Sequence, residues 1–228
     1  MSVNDRYEDA FKGWCASLRE LIADASGLAE WQERRYRFAH IIGELLTNPN
    51  ETCPEMTGPV LYGVSLPGAG LCYVGQTQEA ERRLRDLPVG ESHHLANTVP
   101  PELWERVIVV RWPDLLEQAP PADQQAAADL GLSVCGLALE HLLQLTTLPP
   151  LNGRRRHRNG EWRPRDHARS RSRGAVHAPR LPGLWELTWQ AWQHLGAVRA
   201  GTGDPPAITT QVGRVVFPSR VLEETALA

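Results

Sequence analysis

Two tyrosines, an arginine and a glutamate are the residues of this chain whose types and spacing could do chemistry. Tyr62 and Tyr73 stand eleven positions apart in Val60-Leu61-Tyr62-Gly63-Val64 and Leu71-Cys72-Tyr73-Val74-Gly75. Arg83 follows ten positions later, inside Glu81-Arg82-Arg83-Leu84-Arg85. Glu140 lies in the apolar run Cys135 to Leu143, and Asn152 comes twelve residues after it. Phenol, guanidinium and carboxylate together suit phosphodiester hydrolysis, which needs a positioned water, cations on the phosphoryl oxygens and help for the leaving alkoxide. A phenol with a pKa of about 10 is a poor base unless nearby cations favour its phenolate, and Arg83 would supply that bias. Taken singly, each residue has a plainer reading: a tyrosine packed in a half-buried strand, an arginine on a solvated helix face. Glu140 resists such a reading, because a carboxylate on an apolar helix needs a partner or an ion.

The elements that must position these groups are legible nearby. The tyrosines lie on two strand-like pieces joined by Pro67-Gly68-Ala69-Gly70, a glycine-rich turn that predicts a β-hairpin. The arginine-rich stretch reads as a helix. Arg106 to Trp112 is long and β-branched enough for a third strand. Val134 to Leu145 reads as the helix carrying Glu140, and Leu148-Pro149-Pro150-Leu151-Asn152-Gly153 stops it. Upstream, Phe11, Trp14, Leu18, Leu21 and Ile22, then Trp31, Tyr36, Phe38, Ile41, Ile42 and Leu45, recur at helical spacing. Both stripes are expected to be packing rather than ligand boxes, with Asn48-Pro49-Asn50 closing the second helix. Downstream, a tryptophan-rich helix (Leu184 to Ala197) and a short strand (Gly213 to Phe217) should dock on the core. The expected division is a helical region over 1–57, a core over 58–155, and a basic loop, helix and strand over 156–228.

Composition narrows the function classes. The chain has 228 residues, of which 42% are hydrophobic and 22% charged, as in ordinary globular proteins. No apolar stretch approaches the roughly 18 residues of a membrane helix, and the N-terminus has no signal-peptide pattern, so a cytoplasmic protein without a membrane partner is expected. Cys15, Cys53, Cys72 and Cys135 are scattered, which speaks against structural zinc and against a disulfide framework. Lys12 is the only lysine among 24 basic residues; codon bias explains this, yet it leaves nearly every cation a guanidinium suited to bidentate phosphate contact. Residues 154–180 hold ten arginines against Glu161 and Asp166, a formal +8 in a chain of net charge −3, so the remainder carries −11. Such asymmetry attracts polyanions. Arg82, Arg85, Arg154, Arg155, Arg156 and Arg158 are the candidate nucleic-acid contacts, and 163–173, poor in apolar residues, reads as a mobile loop.

The ordered set of hairpin, arginine helix, glutamate and asparagine resembles the GIY-YIG nuclease superfamily over roughly residues 58–155. Val60-Leu61-Tyr62 is a loose match to the first family element and Tyr73-Val74-Gly75 a good match to the second. The resemblance implies an α/β (α+β) fold with a small, mostly antiparallel three-stranded sheet flanked by helices. It implies Tyr62 as general base or water-positioning group, Tyr73 hydrogen-bonded within the site, Arg83 on the phosphate and Glu140 holding one Mg²⁺ (or Mn²⁺). Gly75 and Asn152 would support the site.

The chain also departs from the family pattern. One helical turn after Arg83, where family members commonly carry histidine or tyrosine, it has Leu87, and the lysine that some members place near the hairpin is missing there. His93 and His94, in the polar loop that follows, are the candidate replacement for proton transfer near neutral pH; their plainer reading is a helix-capping loop. The expected activity is a metal-dependent endonuclease acting on nucleic acid, DNA by preference, in restriction, defence or mobile-element processing. Double-strand cutting would call for a homodimer, with the tryptophan-rich helix as one candidate interface. The alternatives are a binding protein of the same fold that has lost cutting, and an enzyme repurposed for a substrate that is not nucleic acid.

Overall fold

The two tyrosine-bearing strands form the hairpin that organises the sheet. The computed structural model describes residues 3–50, 54–90, 95–156, 159, 161–201 and 204–226. After helices α1 (Val3–Leu21) and α2 (Ala25–Thr47) come β1 (Val60–Leu66) and β2 (Gly70–Thr77), then α3 (Ala80–Val89) and the short α4 (Leu95–Thr98). Strand β3 (Arg106–Val110) leads through a 3₁₀ turn (Trp112–Gln118) to α5 (Pro121–Leu130) and α6 (Leu132–Thr147). A small ribbon of β4 (Arg154–Arg156) and β5 (Trp162–Pro164) precedes α7 (Arg173–His177), α8 (Pro182–Ala197), β6 (Ala207–Thr210), β7 (Gly213–Val216) and α9 (Pro218–Ala226). Pro67 and a positive-φ Gly68 (φ 73°) make the β1–β2 turn, the pairing that a type II turn requires.

The fold is α+β, but the sheet is wider than the three strands expected. Its order is β2-β1-β3-β7-β6, all neighbours antiparallel. The C-terminal region therefore extends the sheet itself instead of merely docking on it: β7 pairs with β3, Val107 opposite Val216. Strand alternation divides the core into two layers. Val60, Tyr62, Val64, Val107 and Val109 pack with Phe38, Ile42 and Leu46 of α2 and Leu84 and Leu87 of α3. Leu61, Val74, Ile108, Val110 and Val215 pack on the other side with Leu139 and Leu143 of α6 and Leu184, Trp192 and Leu195 of α8. Because β1 is covered on both faces, it is an almost continuous apolar run. Gly63 lets the Trp192 ring lie directly on the strand, where a Cβ would stand 2.6 Å from the indole.

Buried polar contacts fix the layers. Arg214 of β7, 2% exposed, donates to the Leu45 carbonyl at the C-terminal end of α2, 2.7 Å, where a cation also suits the helix dipole. Asp123 of α5 caps the start of α8 by accepting from the Leu184 amide, 2.7 Å.

Two sequence expectations are corrected. Of the first stripe, Phe11, Trp14, Leu21 and Ile22 are 60%, 54%, 45% and 51% exposed and Leu18 is half-buried, so the described residues leave most of it uncovered; helical periodicity marks a face but not what covers it. The tract 163–173 is largely exposed, yet it is tied to the core at Arg165 and His167. His167 is buried, the Arg165 amide donates to the Gly153 carbonyl at 2.8 Å, and Gly174 of α7 approaches α6 so closely that a Cβ would overlap the Leu137 carbonyl. The tryptophan-rich α8 is chiefly a core element, with Trp192 buried and Trp185 and Trp189 stacked at 5.7 Å.

Candidate functional site

The candidate site lies at the free edge of β2, where α3 arrives from one layer and α6 from the other. Tyr62 is fully buried, with its ring over Gly75, its register partner on β2. A Cβ at residue 75 would stand 2.7 Å from the Tyr62 ring and hydroxyl and 3.0 Å from Tyr73. Glycine is thus the residue that lets the phenol lie across the hairpin. The Tyr62 and Tyr73 rings are tilted against each other with centroids 6.1 Å apart. From α3, the Nε of Arg83 donates to the Tyr62 hydroxyl, 3.2 Å.

Glu140, on α6, acts electrostatically on both tyrosines and is acted on by Arg83. It is half-buried and accepts from Nε2 of Gln144 one turn on, 3.0 Å. Burial pushes its pKa up to about 7, against the pull of Arg165, Arg83 and Gln144. Burial likewise raises Tyr62, with Glu140 adding to the rise, while Arg83 and a hydrogen bond from Tyr73 act in the opposite direction. Tyr73 is raised by burial and by the nearby oxygens of Tyr62 and Glu140. Both phenols are therefore neutral around pH 7. Phenol, guanidinium and carboxylate are electrostatically coupled here, though they are far apart in sequence.

Asn152 closes the edge. Its Oδ1 accepts from the Val74 amide at 2.8 Å and its Nδ2 donates to the Val74 carbonyl at 2.9 Å. The Leu151 amide adds a bond to the Cys72 carbonyl, 3.0 Å. The turn after α6 thus stands in for a neighbouring strand on β2, which would otherwise present open backbone groups. Asn152→Ala removes the acceptor of the Val74 amide and leaves its carbonyl only the longer donation from Gln144, 3.5 Å; the expected loss is about 1–3 kcal/mol of stability, read as a lower urea midpoint with unchanged slope.

The other expected residues are placed less centrally. Leu87 is fully buried in the apolar layer beneath α3, so that position belongs to the core here. Arg82 is paired with Glu79 on the solvent side, 2.7 Å. Arg85 ties α3 to the end of α2 through Thr47 (3.2 Å) and Asn48 (3.1 Å). Arg154, Arg155 and Arg156 form β4. Arg158, His93 and His94 lie outside the described residues.

Sequence reasoning missed three groups. Gln144 could have been found, since an amide four residues after a carboxylate on a helix is a recognisable pair. Arg165 was passed over as part of a loop, yet it is the cation that acts most strongly on Glu140. His141, next to Glu140 on α6 and by residue type a helix-surface group, is 8% exposed and close to a buried His167. Burial holds both imidazoles below the ordinary histidine range, with Arg165 lowering them further.

A divalent ion is consistent with this donor set only in an open form. Among the described residues no group of three or more His, Cys, Asp or Glu could cage a metal. Among the described residues of the site Glu140 offers the carboxylate, and burial keeps it partly protonated near neutrality although Arg165 and Arg83 pull the other way. Mg²⁺ is commonly held by one or two carboxylates, with water and substrate phosphate completing its shell. Among the described residues, no single helix is long and apolar enough to cross a membrane.

No family model, no curated protein and no solved structure matches this chain.

Proposed function

We propose that the chain is a metal-dependent endonuclease that hydrolyses phosphodiester bonds in DNA, a catalyst of the GIY-YIG type. The observation that carries this reading is the hydrogen bond of Arg83 to the Tyr62 hydroxyl, 3.2 Å, coupled electrostatically to a half-buried Glu140 on which Arg83 and Arg165 both act. Arg83 and Arg165 would neutralise the phosphoryl oxygens, and Tyr62 would position the attacking water. Burial keeps Tyr62 neutral, so positioning fits it better than a preformed phenolate; proton transfer to it would require the cations to outweigh that burial. Glu140 would hold the divalent ion, which when bound supplies charge to the phosphate and the leaving oxygen. Tyr73 orients the Tyr62 hydroxyl, and Asn152 and Gly75 keep β2 in place.

A second reading, nucleic-acid binding without cutting, is favoured by one observation: Leu87 is sealed in the core, so the position one turn after Arg83 carries no titratable group.

Incubation with plasmid, single-stranded DNA and RNA in Mg²⁺ or Mn²⁺ tests both. The expected result is DNA cleavage that falls by at least about 100-fold in Glu140→Ala. Binding without cleavage would establish the second reading. Neither would point to a substrate that is not nucleic acid.

A further inference from the structure

The β4–β5 ribbon grows directly out of the site. Asn152, bonded to Val74 of β2, is followed by Gly153, whose carbonyl accepts from the Arg165 amide at 2.8 Å. That bond closes the base of the ribbon, so the residues entering and leaving it are Asn152, which braces the site, and Arg165, which acts on Glu140. The paired positions are Arg154 with Pro164, Arg155 with Arg163, and Arg156 with Trp162. Four of these six residues are arginines, and the central pair sets arginine opposite arginine.

Like charges in register weaken a strand pair. A ribbon of three pairs is short, and an isolated hairpin of that kind is marginal in water. Arg163 is paired with Glu161 at 3.7 Å, with both side chains largely exposed, a contact of the kind worth little. The arrangement therefore suits a surface completed by a polyanion. A two-stranded ribbon is also one of the shapes that the major groove of duplex DNA admits. A single-strand platform would instead use successive aromatic faces, and this ribbon carries one, Trp162.

Resting on the nuclease reading, we propose that β4–β5 is a duplex-engaging arm: it grips the phosphates of double-stranded DNA beside the groove it enters and so presents one strand to the Tyr62–Arg83–Glu140 edge. The arm makes the duplex the preferred substrate and sets its register at a fixed short distance from the reacting phosphate.

The test uses the full chain carrying Glu140→Gln, so that binding is measured without cutting. A fluorescent 20-base-pair duplex and the matching single strand are titrated at several salt concentrations, with and without Arg155→Thr and Arg163→Thr. Threonine keeps strand propensity, and circular dichroism confirms that the fold is retained. The expected result is tighter binding of duplex than of single strand, with the pair of substitutions weakening duplex binding at least about tenfold and lowering the salt slope by about 2. Duplex binding unchanged by the substitutions, or an equal loss on single strand, overturns the arm while leaving the nuclease reading intact. Failure of the Glu140→Gln chain to bind either DNA overturns both.

Discussion

Glu140→Gln is expected to stabilise the metal-free protein at pH 8 while abolishing cleavage. Burial raises the folded-state pKa of Glu140 from an ordinary 4.5 to about 7. The unfolded chain therefore gives up this proton at lower pH than the folded one. Stability contributed by the protonated carboxyl is fully present below about pH 4.5, falls as pH rises through 7, and is gone above it. At about 1.4 kcal/mol per tenfold change in the proton equilibrium, the ionised group costs the fold up to about 3 kcal/mol at pH 8. Glutamine is the same size, carries no charge, and its carbonyl can still accept from Gln144. The variant should thus unfold at a higher urea midpoint at pH 8, by about 2 kcal/mol after allowance for the exposed part of the group, and match wild type near pH 4.5. Added Mg²⁺ should raise the wild-type midpoint at pH 8 and leave the variant unmoved, because binding to the native state alone stabilises it by mass action. Equal stability of the two proteins at pH 8 would mean that Glu140 is well hydrated, and the case for an ion at that position would fall with it. Stability gained as activity is lost is the trade expected where a site keeps a carboxylate whose burial outweighs its cations.

Legibility in the sequence followed the physical range of each signal. The hairpin was readable because Pro67 and Gly68 state the turn locally and the flanking runs are β-branched or aromatic. Glu140 was readable because a charge inside an apolar run conflicts with its surroundings, and such conflicts gather at functional sites. Tyr62 and Arg83 could be paired only by their spacing; their contact is a tertiary fact. The fourth and fifth strands were harder. Gly213–Val216 is four residues long, and nothing in it names β3 as its partner. The points that tie 163–173 to the core left no hydrophobic trace, because they are an imidazole (His167), a backbone bond at Arg165 and, just beyond, the missing side chain of Gly174. Arg165 was overlooked for that reason. The α1 stripe failed oppositely: its periodicity is clear, but amphipathicity records only that a face is apolar.

Gly75→Ala carries the other large effect, because it attacks the site through space rather than charge. The new Cβ would be 2.7 Å from the Tyr62 ring and hydroxyl and 3.0 Å from Tyr73. Tyr62 is fully buried and has no room to swing away, so either the ring tilts or β2 shifts along β1. Either movement breaks the 3.2 Å bond from Arg83 and moves the phenol by a sizeable part of an ångström. Overpacking of this kind costs about 1–3 kcal/mol, and a displacement near 1 Å at a reacting group costs about 100-fold in rate. The expected variant is folded, less stable and at least about 100-fold slower in cleavage. Gly70→Ala separates the two effects. Gly70 has φ 69° and open space around its Cβ position, so alanine there should cost about 1–2 kcal/mol through the left-handed backbone alone and leave the rate constant unchanged. Measured at a temperature where both variants are folded, an equal loss of rate would attribute the Gly75 effect to general destabilisation. A loss confined to Gly75→Ala would assign it to the Tyr62 ring, and would make the glycine opposite that tyrosine as much a requirement of the chemistry as the tyrosine itself.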